Sequence, residues 1–353
     1  MRRVARDLSA TLIEIKQRAI DSPTNRDLAF VPNFAPELRA GVVNGHDPGK
    51  RREDGLAVAT PLRALLQRDG CLTLPGVYDG ISARMAANIG FDALYMTGYG
   101  VVASALGVAD AGTATFSEML DRVRCIAGAT DLPFLADGDT GYGGLLNVDR
   151  TVRGYAAAGA SGIQLEDQEF PKKCGHTEFR RVIPVDDAIA KVRVAVEARP
   201  SRDFLIVART DARYAEGLDA ALRRAERFLE AGADVLFVES PESLEELRRV
   251  AETFQGATLL ANMVEGGRTP YLSTRELAAM GFKIALYPGS GFLTAAGALQ
   301  IFYRHLKTAG IGTGSQAPML PFAEMNQLMG FPAVHAFEKR HGLEWKPTLE
   351  TRR

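Results

Sequence analysis

Apolar and polar positions follow a pattern that recurs along the chain. NIGFDALYMT, AAGASGIQLE, EAGADVLFVE and AMGFKIALYP each place a glycine at the end of a helical pattern and then a short apolar run. The glycines are Gly90, Gly159, Gly232 and Gly281, and the seventh residue beyond each is Thr97, Glu166, Glu239 and Pro288. Equal offsets predict one repeated αβ unit. The glycines lie 69, 73 and 49 residues apart, which leaves room for further strands. CLTLPGVY (71–78), LPFLADGD (132–139), FLIVART (204–210) and ATLLANM (257–263) supply them, making eight.

The segments between read as helices. PESLEELRRVAETF carries Leu244, Leu247, Val250, Ala251 and Phe254 at helical spacing, with Ser240 expected as N-cap and Pro241 as the first helical residue. STRELAAMG reads as a capping box closed by Gly281. Strands alternating with helices over residues 71–300 predict an α/β fold, a (β/α)8 barrel of the TIM type, over an open doubly wound sheet. Residues 1–60 read as an N-terminal extension, in which an amphipathic stretch (7–20) precedes a segment rich in Pro, Gly, Asn and charge. The expected division is extension 1–60, catalytic barrel 61–310 and C-terminal helical arm 311–353.

Charge narrows the function. In 353 residues, 42 Lys and Arg stand against 43 Asp and Glu, so no net field draws the chain to polyanions or anionic lipid. Nucleic acid and membrane are not expected partners. Cys71, Cys125 and Cys174 lie far apart without a CxxC pair, against a disulfide framework or a structural zinc and for a reducing, cytoplasmic setting. MRRVARDLSATLIEIKQRAI lacks the apolar core of a signal peptide, and Asp7 and Glu14 weigh against an import leader.

In such barrels chemistry sits at the C-terminal strand ends. Here those ends read Tyr78-Asp79, Tyr95/Thr97, Asp137/Asp139, Glu166, Arg209/Asp211, Glu239, Asn262 and Tyr287/Ser290, a polar ring. In LADGDTGYGG, Asp137 and Asp139 are two residues apart and would project to one side of an extended chain. With Glu166 and Glu239 nearby and no His cluster, the set suits Mg²⁺ or Mn²⁺ over zinc. In EDQEFPKKCGH, Lys172, Cys174 and His176 alternate, an electropositive setting in which a thiol would ionise and exchange protons. Arg209 would clamp a substrate carboxylate or neutralise oxyanion charge; the structural alternative is an ion pair with Glu239 or Asp167. Tyr95 and Thr97, followed by Gly98 and Gly100, offer hydroxyls and backbone N–H groups to an anion. GYGVVA (98–103) imitates a dinucleotide fingerprint, but that reading leaves the acidic pair and the Lys-Cys-Gly-His loop without a role.

DGDTGYGG, LEDQ, PKKCGH, VARTDA and ANMVEGGRTP, in this order, resemble the isocitrate lyase and phosphoenolpyruvate mutase superfamily from residue 71 to about 340. The likeness is greatest to the branch of 2,3-dimethylmalate lyase and petal death protein-like lyases. It implies a C-terminal helical segment exchanged between subunits, a homotetramer built as a dimer of dimers, and Mg²⁺ (or Mn²⁺) held by Asp137, Asp139 and Glu166 with Asp110 nearby. It implies substrate contacts from Tyr95, Thr97, Gly98, Gly175, Arg209, Glu239 and Asn262. Two departures bear on specificity: Tyr99 stands where many relatives carry glycine, and Ser290 is flanked by Gly289 and Gly291, which would displace the pocket. The Cys-Gly-His loop marks the superfamily's lyases, in which the cysteine protonates an enolate. The implied activity is metal-dependent cleavage of a small 2-hydroxy dicarboxylate to a 2-oxo acid and a carboxylic acid. Cys174 would donate the proton, His176 and Lys172 would assist, and Tyr95 would act as base. Alternatives are a 2-methylisocitrate lyase, an oxaloacetate hydrolase or decarboxylase, a phosphoenolpyruvate or phosphonopyruvate mutase-type enzyme and, outside catalysis, a small-acid-binding barrel.

Overall fold

The computed structural model describes residues 61–342, so the expected extension (1–60) and the end of the C-terminal arm lie outside the described residues. Eight parallel strands form a closed barrel: β1 Leu72–Val77, β2 Leu94–Met96, β3 Phe134–Asp137, β4 Gly162–Glu166, β5 Leu205–Thr210, β6 Val235–Val238, β7 Leu259–Asn262 and β8 Ile284–Tyr287. Closure comes from β1, which pairs with β2 through Gly76 and Tyr95 and with β8 through Pro75 and Tyr287.

Alternation along each strand explains where the polar residues go. Leu74, Tyr95, Leu135, Leu205, Val207, Val235, Phe237, Leu260, Ile284 and Leu286 pack together as one buried cluster inside the barrel. Stepping two residues on from the last interior side chain gives Asp137 in β3, Arg209 in β5, Glu239 after β6, Asn262 in β7 and Pro288 after β8. The interior is thus an apolar stack capped by polar groups at one end, and a short helix, Leu62–Leu66, adds three buried leucines to the same cluster. Between strands and outer helices lie two further cores, one mainly over β2–β4 and one mainly over β5–β8.

The repeated glycines end helices as the pattern predicts. Gly90, Gly159, Gly232 and Gly281 have φ of 98°, 104°, 96° and 103°, left-handed values that suit glycine. The Ser273–Glu276 capping box is present. One expected start is corrected: the helix Leu244–Thr253 is capped by Ser243, whose hydroxyl accepts from the Glu246 N–H, and Ser240 is not its cap. Ser240 adopts φ of 57° and donates its hydroxyl to the Gly175 carbonyl 65 residues away, a tertiary demand that outweighs local capping.

Beyond β8 the helix Ser290–Ala309 starts against β1, with Phe292 beside Tyr78, and two further helices follow. The helices Ser290–Ala309, Phe322–Leu328 and Phe331–Arg340 contain no buried residue. Among the described residues no helix is long and apolar enough to cross a membrane.

Candidate active site

A cavity of about 280 Å³ opens at the C-terminal end of the barrel, lined by Tyr95, Thr97, Tyr99, Asp110, Asp137, Glu166, Lys172, Cys174, Gly175, His176, Arg209, Glu239 and Asn262. Three expected residues do not line it. Asp139 is buried behind the wall, Gly98 turns its N–H to Asp137 Oδ2 at 3.2 Å, and Ser290 donates to Glu265 Oε1 at 2.5 Å. Of the two glycines, Gly291 faces the barrel, where a Cβ would stand 3.1 Å from the Gly76 carbonyl, whereas Gly289 lines the cavity beside Pro288, Phe292 and Leu293. Tyr99 does project there, its ring 5.0 Å from that of Phe292.

The acidic end departs from the extended geometry expected of Asp137 and Asp139. β3 ends at Asp137, and Asp139 takes φ of 48°, donating its N–H to Asp137 Oδ1 at 3.1 Å. The turn hands the Asp139 carboxylate to Lys172, whose Nζ lies 2.5 Å from Asp139 Oδ1 and 2.5 Å from Asp110 Oδ1. Burial alone would push the Lys172 ammonium down, but Asp139 and Asp110 overcome it and hold it well above its ordinary value. Asp137 is pushed up to about 6, by burial and then by the Asp139 charge. Burial also raises Glu166, whose Oε1 is buried without a hydrogen-bond partner.

A crowded carboxylate cluster with an unpartnered buried oxygen fits a hard divalent cation. Among the described residues, however, no three metal-ligating side chains converge as a direct coordination set. Asp137, Asp139 and Glu166 therefore remain the expected holders of the cation, as an acidic cluster and not as a preformed three-ligand group.

Arg209 makes the ion pair anticipated with Glu239, not the one with Asp167, and adds Asp211 and Glu166. Its Nε and Nη2 bind Asp211 Oδ2 and Oδ1, each at 2.9 Å, while Nη1 lies 3.4 Å from Glu166 and 3.3 Å from Glu239. Asp167 instead accepts from Thr210 and the Asp211 N–H. Burial would raise Glu239, but the Arg209 charge draws it down to about 2.

Residues 172–177 close over the cavity. The Cys174 N–H donates to the Asp110 carbonyl at 3.3 Å, and His176 Nδ1 accepts the Arg268 N–H at 3.1 Å. An accepting Nδ1 leaves the proton on Nε2, which faces Glu239 Oε1 at 3.3 Å. Burial lowers the His176 pKa, which keeps the ring neutral, and burial pushes the Cys174 thiol up. With Lys172 held by two carboxylates, the electropositive setting expected around Cys174 is largely neutralised, and burial favours the protonated thiol. Tyr95 donates to Gln164 Oε1 at 3.0 Å, and burial followed by the Asp137 charge raises its pKa well above the ordinary value, which weighs against the base role expected of it.

Sequence reasoning passed over Gln164, Arg180 and the apolar wall of Phe237, Val264, Leu286, Phe292 and Leu293, and it gave Ser240 only a capping role. Gln164 was legible in principle, since it precedes Glu166 by two and shares its face of β4.

The family described as phosphoenolpyruvate phosphomutase matches residues 62–307. The 2,3-dimethylmalate lyase of Eubacterium barkeri is 44% identical over 283 residues, covering 80% of this chain and 98% of that protein. A solved oxaloacetate acetylhydrolase bound to 3,3-difluorooxalacetate superposes with TM-score 0.77 and 33% identity, covering 82% of this chain and 98% of its own. A phosphonopyruvate hydrolase solved with oxalate and Mg²⁺ superposes at TM-score 0.72 and 29% identity, covering 80% and 98%. With its barrel, its acidic strand ends and its Cys-Gly-His loop, the chain belongs to the isocitrate lyase and phosphoenolpyruvate mutase superfamily and is an enzyme of its lyase kind.

Proposed function

We propose that the protein is a Mg²⁺-dependent carbon–carbon lyase that cleaves a small, alkyl-substituted 2-hydroxy dicarboxylate into a 2-oxo acid and a carboxylic acid. The observation that carries this reading is the half-buried Cys174 thiol, whose pKa burial raises, sharing one cavity with the carboxylate cluster and Arg209. The acidic site of Asp137, Asp139 and Glu166, with Asp110 beside it, would hold the cation, which supplies Lewis acidity toward a 2-hydroxy or 2-oxo acid. Arg209, its other edge fixed by Asp211, directs Nη1 at negative charge on the substrate. As C2–C3 breaks, the C2 hydroxyl gives its proton to a carboxylate of the acidic site, the C2 oxygen becomes a carbonyl, and the bonding pair passes to C3 as a carboxylate-stabilised enolate. The Cys174 thiol donates its proton to C3, and the proton taken from the hydroxyl restores the thiol. His176, whose Nδ1 accepts the Arg268 N–H and whose Nε2 lies 3.3 Å from Glu239, keeps the loop over the site and water out.

Phe237, Leu286, Pro288, Phe292 and Leu293 support an alkyl substituent on the substrate. A third carboxylate finds little to pair with: Lys172 is held between Asp110 and Asp139, and Lys173 Nζ donates to the Phe179 carbonyl. The test is kcat/KM across 2-alkylmalates, 2-methylisocitrate, oxaloacetate and phosphonopyruvate. Tenfold preference for a tricarboxylate, about 1.4 kcal/mol of transition-state binding, would move the protein to the tricarboxylate lyases. Preference for oxaloacetate would make it an oxaloacetate hydrolase or decarboxylase. The free thiols Cys71, Cys125 and Cys174 fit a reducing, cytoplasmic setting, and the exposed C-terminal helices fit exchange with a second copy in a homotetramer.

A further inference from the structure

The loop that carries Cys174 is closed at its base by an antiparallel bridge between Gln168 and Val182 and by the Glu169 N–H donating to the Arg181 carbonyl at 2.8 Å. Near that base stands Arg180, whose side chain has no exposed surface. Its Nη1 lies 2.5 Å from Asp211 Oδ1, its Nε donates to the Thr177 carbonyl at 3.1 Å, and its Nη2 is buried without a partner. The guanidinium also lies over the Tyr214 ring, 4.6 Å from the centroid.

Two other contacts converge on the same place. The Tyr214 hydroxyl accepts the Phe179 N–H at 2.9 Å. Arg268, from the segment after β7, lies 5.1 Å from the Tyr214 centroid, and its own N–H binds His176 Nδ1. Asp211, the partner of Arg180, is the carboxylate that fixes Arg209.

We propose that Arg180, Asp211 and Tyr214 form a latch that holds the Cys174 loop closed and ties its closure to the Arg209 clamp. Arg180 and Tyr214 are positioning residues in this scheme, since neither lines the cavity. Charge-assisted hydrogen bonds and two guanidiniums on one ring supply the holding force at a buried site. When the loop opens, Asp211 keeps Arg209, so the clamp waits in place while the thiol moves. The significance of the latch rests on the lyase reading, in which closure brings the Cys174 proton to the reacting carbon.

The test needs no substrate. Iodoacetamide labelling of Cys71, Cys125 and Cys174, followed by peptide mass spectrometry, reads loop opening at Cys174, with the exposed Cys125 and half-buried Cys71 as internal references. Arg180→Gln should raise Cys174 labelling about tenfold or more, with Cys71 and Cys125 unchanged. Arg180→Lys should recover part of the protection, and Tyr214→Leu should act in the same direction as Arg180→Gln. In turnover, kcat should fall more than KM rises. Unchanged Cys174 labelling in both Arg180→Gln and Tyr214→Leu would overturn the latch, as would a parallel rise at Cys71, the mark of a merely structural pillar. Raised Cys174 labelling in a protein that cleaves none of the candidate acids would leave the latch standing and remove the lyase reading.

Discussion

Lys172 Nζ stands 2.5 Å from Asp139 Oδ1 and 2.5 Å from Asp110 Oδ1, with all three side chains no more than 6% exposed. The pair of contacts joins the Cys174 loop to the acidic cluster, so the loop's closure and the cluster's charge balance are one arrangement. Asp110, Asp137 and Asp139 share this ammonium, and the next cation, Arg209, is already engaged by Asp211, Glu166 and Glu239, which leaves an excess of negative charge for a divalent cation to offset.

That excess makes stability depend on pH and metal together. The Asp137 carboxyl, raised from 3.8 to about 6 by burial and by Asp139, binds its proton more tightly folded than unfolded. Its contribution is therefore fully present below about pH 4 and is lost as pH rises through about 6. Metal-free protein should have a Tm that Mg²⁺ raises more at pH 7 than at pH 5, since protons compete for the same oxygens; at a hundredfold excess over Kd the gain is about 2.7 kcal/mol. Activity should vanish in excess EDTA and return with Mg²⁺ or Mn²⁺. Equal Tm shifts at both pH values, measured by scanning fluorimetry, would count against this cluster as the metal site.

Cys174→Ser keeps the loop's shape and replaces a good proton donor with a poor one. Carbon–carbon cleavage should fall about 10²–10⁴-fold with substrate binding largely retained, and any oxaloacetate hydrolysis should survive better. Because burial raises the thiol above its ordinary value of 9.0, turnover that depends on the protonated thiol should persist through pH 9. Stopped-flow product assays across pH check both halves.

Gly175→Ala is a steric test of closure. A Cβ at this position would lie within 3.0 Å of Arg209 Nη2 and the Glu239 carboxylate. The loop can relieve the clash by opening, so the fold should survive while kcat falls strongly and iodoacetamide labels Cys174 faster. Circular dichroism with labelling kinetics separates this outcome from unfolding, and near-native turnover would show that closure tolerates more displacement than the packing implies.

Leu299, Tyr303 and Leu306 lie four and three residues apart on the helix Ser290–Ala309 and are 48%, 59% and 40% exposed. An apolar stripe of this kind marks an interface. Light scattering should find the 38.1 kDa chain at a multiple of its mass, four copies on our reading, and Leu299→Asp with Tyr303→Asp should lower that number. A monomeric native chain would remove the exchanged-arm proposal.

Much of this protein was readable from local chemistry. Side chains alternate every two residues along a strand, so Asp137, Arg209 and Glu239 had to share a face with the apolar residues two positions before them. Four equivalent glycines ended four helices because only a residue without a Cβ takes that backbone cheaply. The partners of those polar groups were a different matter. Lys172 with Asp110, Tyr95 with Gln164, Arg180 with Asp211 and Ser240 with Gly175 join residues 62, 69, 31 and 65 positions apart. Such pairs depend on how the strands close and how the loops fold back over the barrel, which no local period records. The same holds for the protonation of Cys174, His176 and Tyr95: their pKa values follow from burial and neighbouring charge, both properties of the assembled site and not of the segment that carries them.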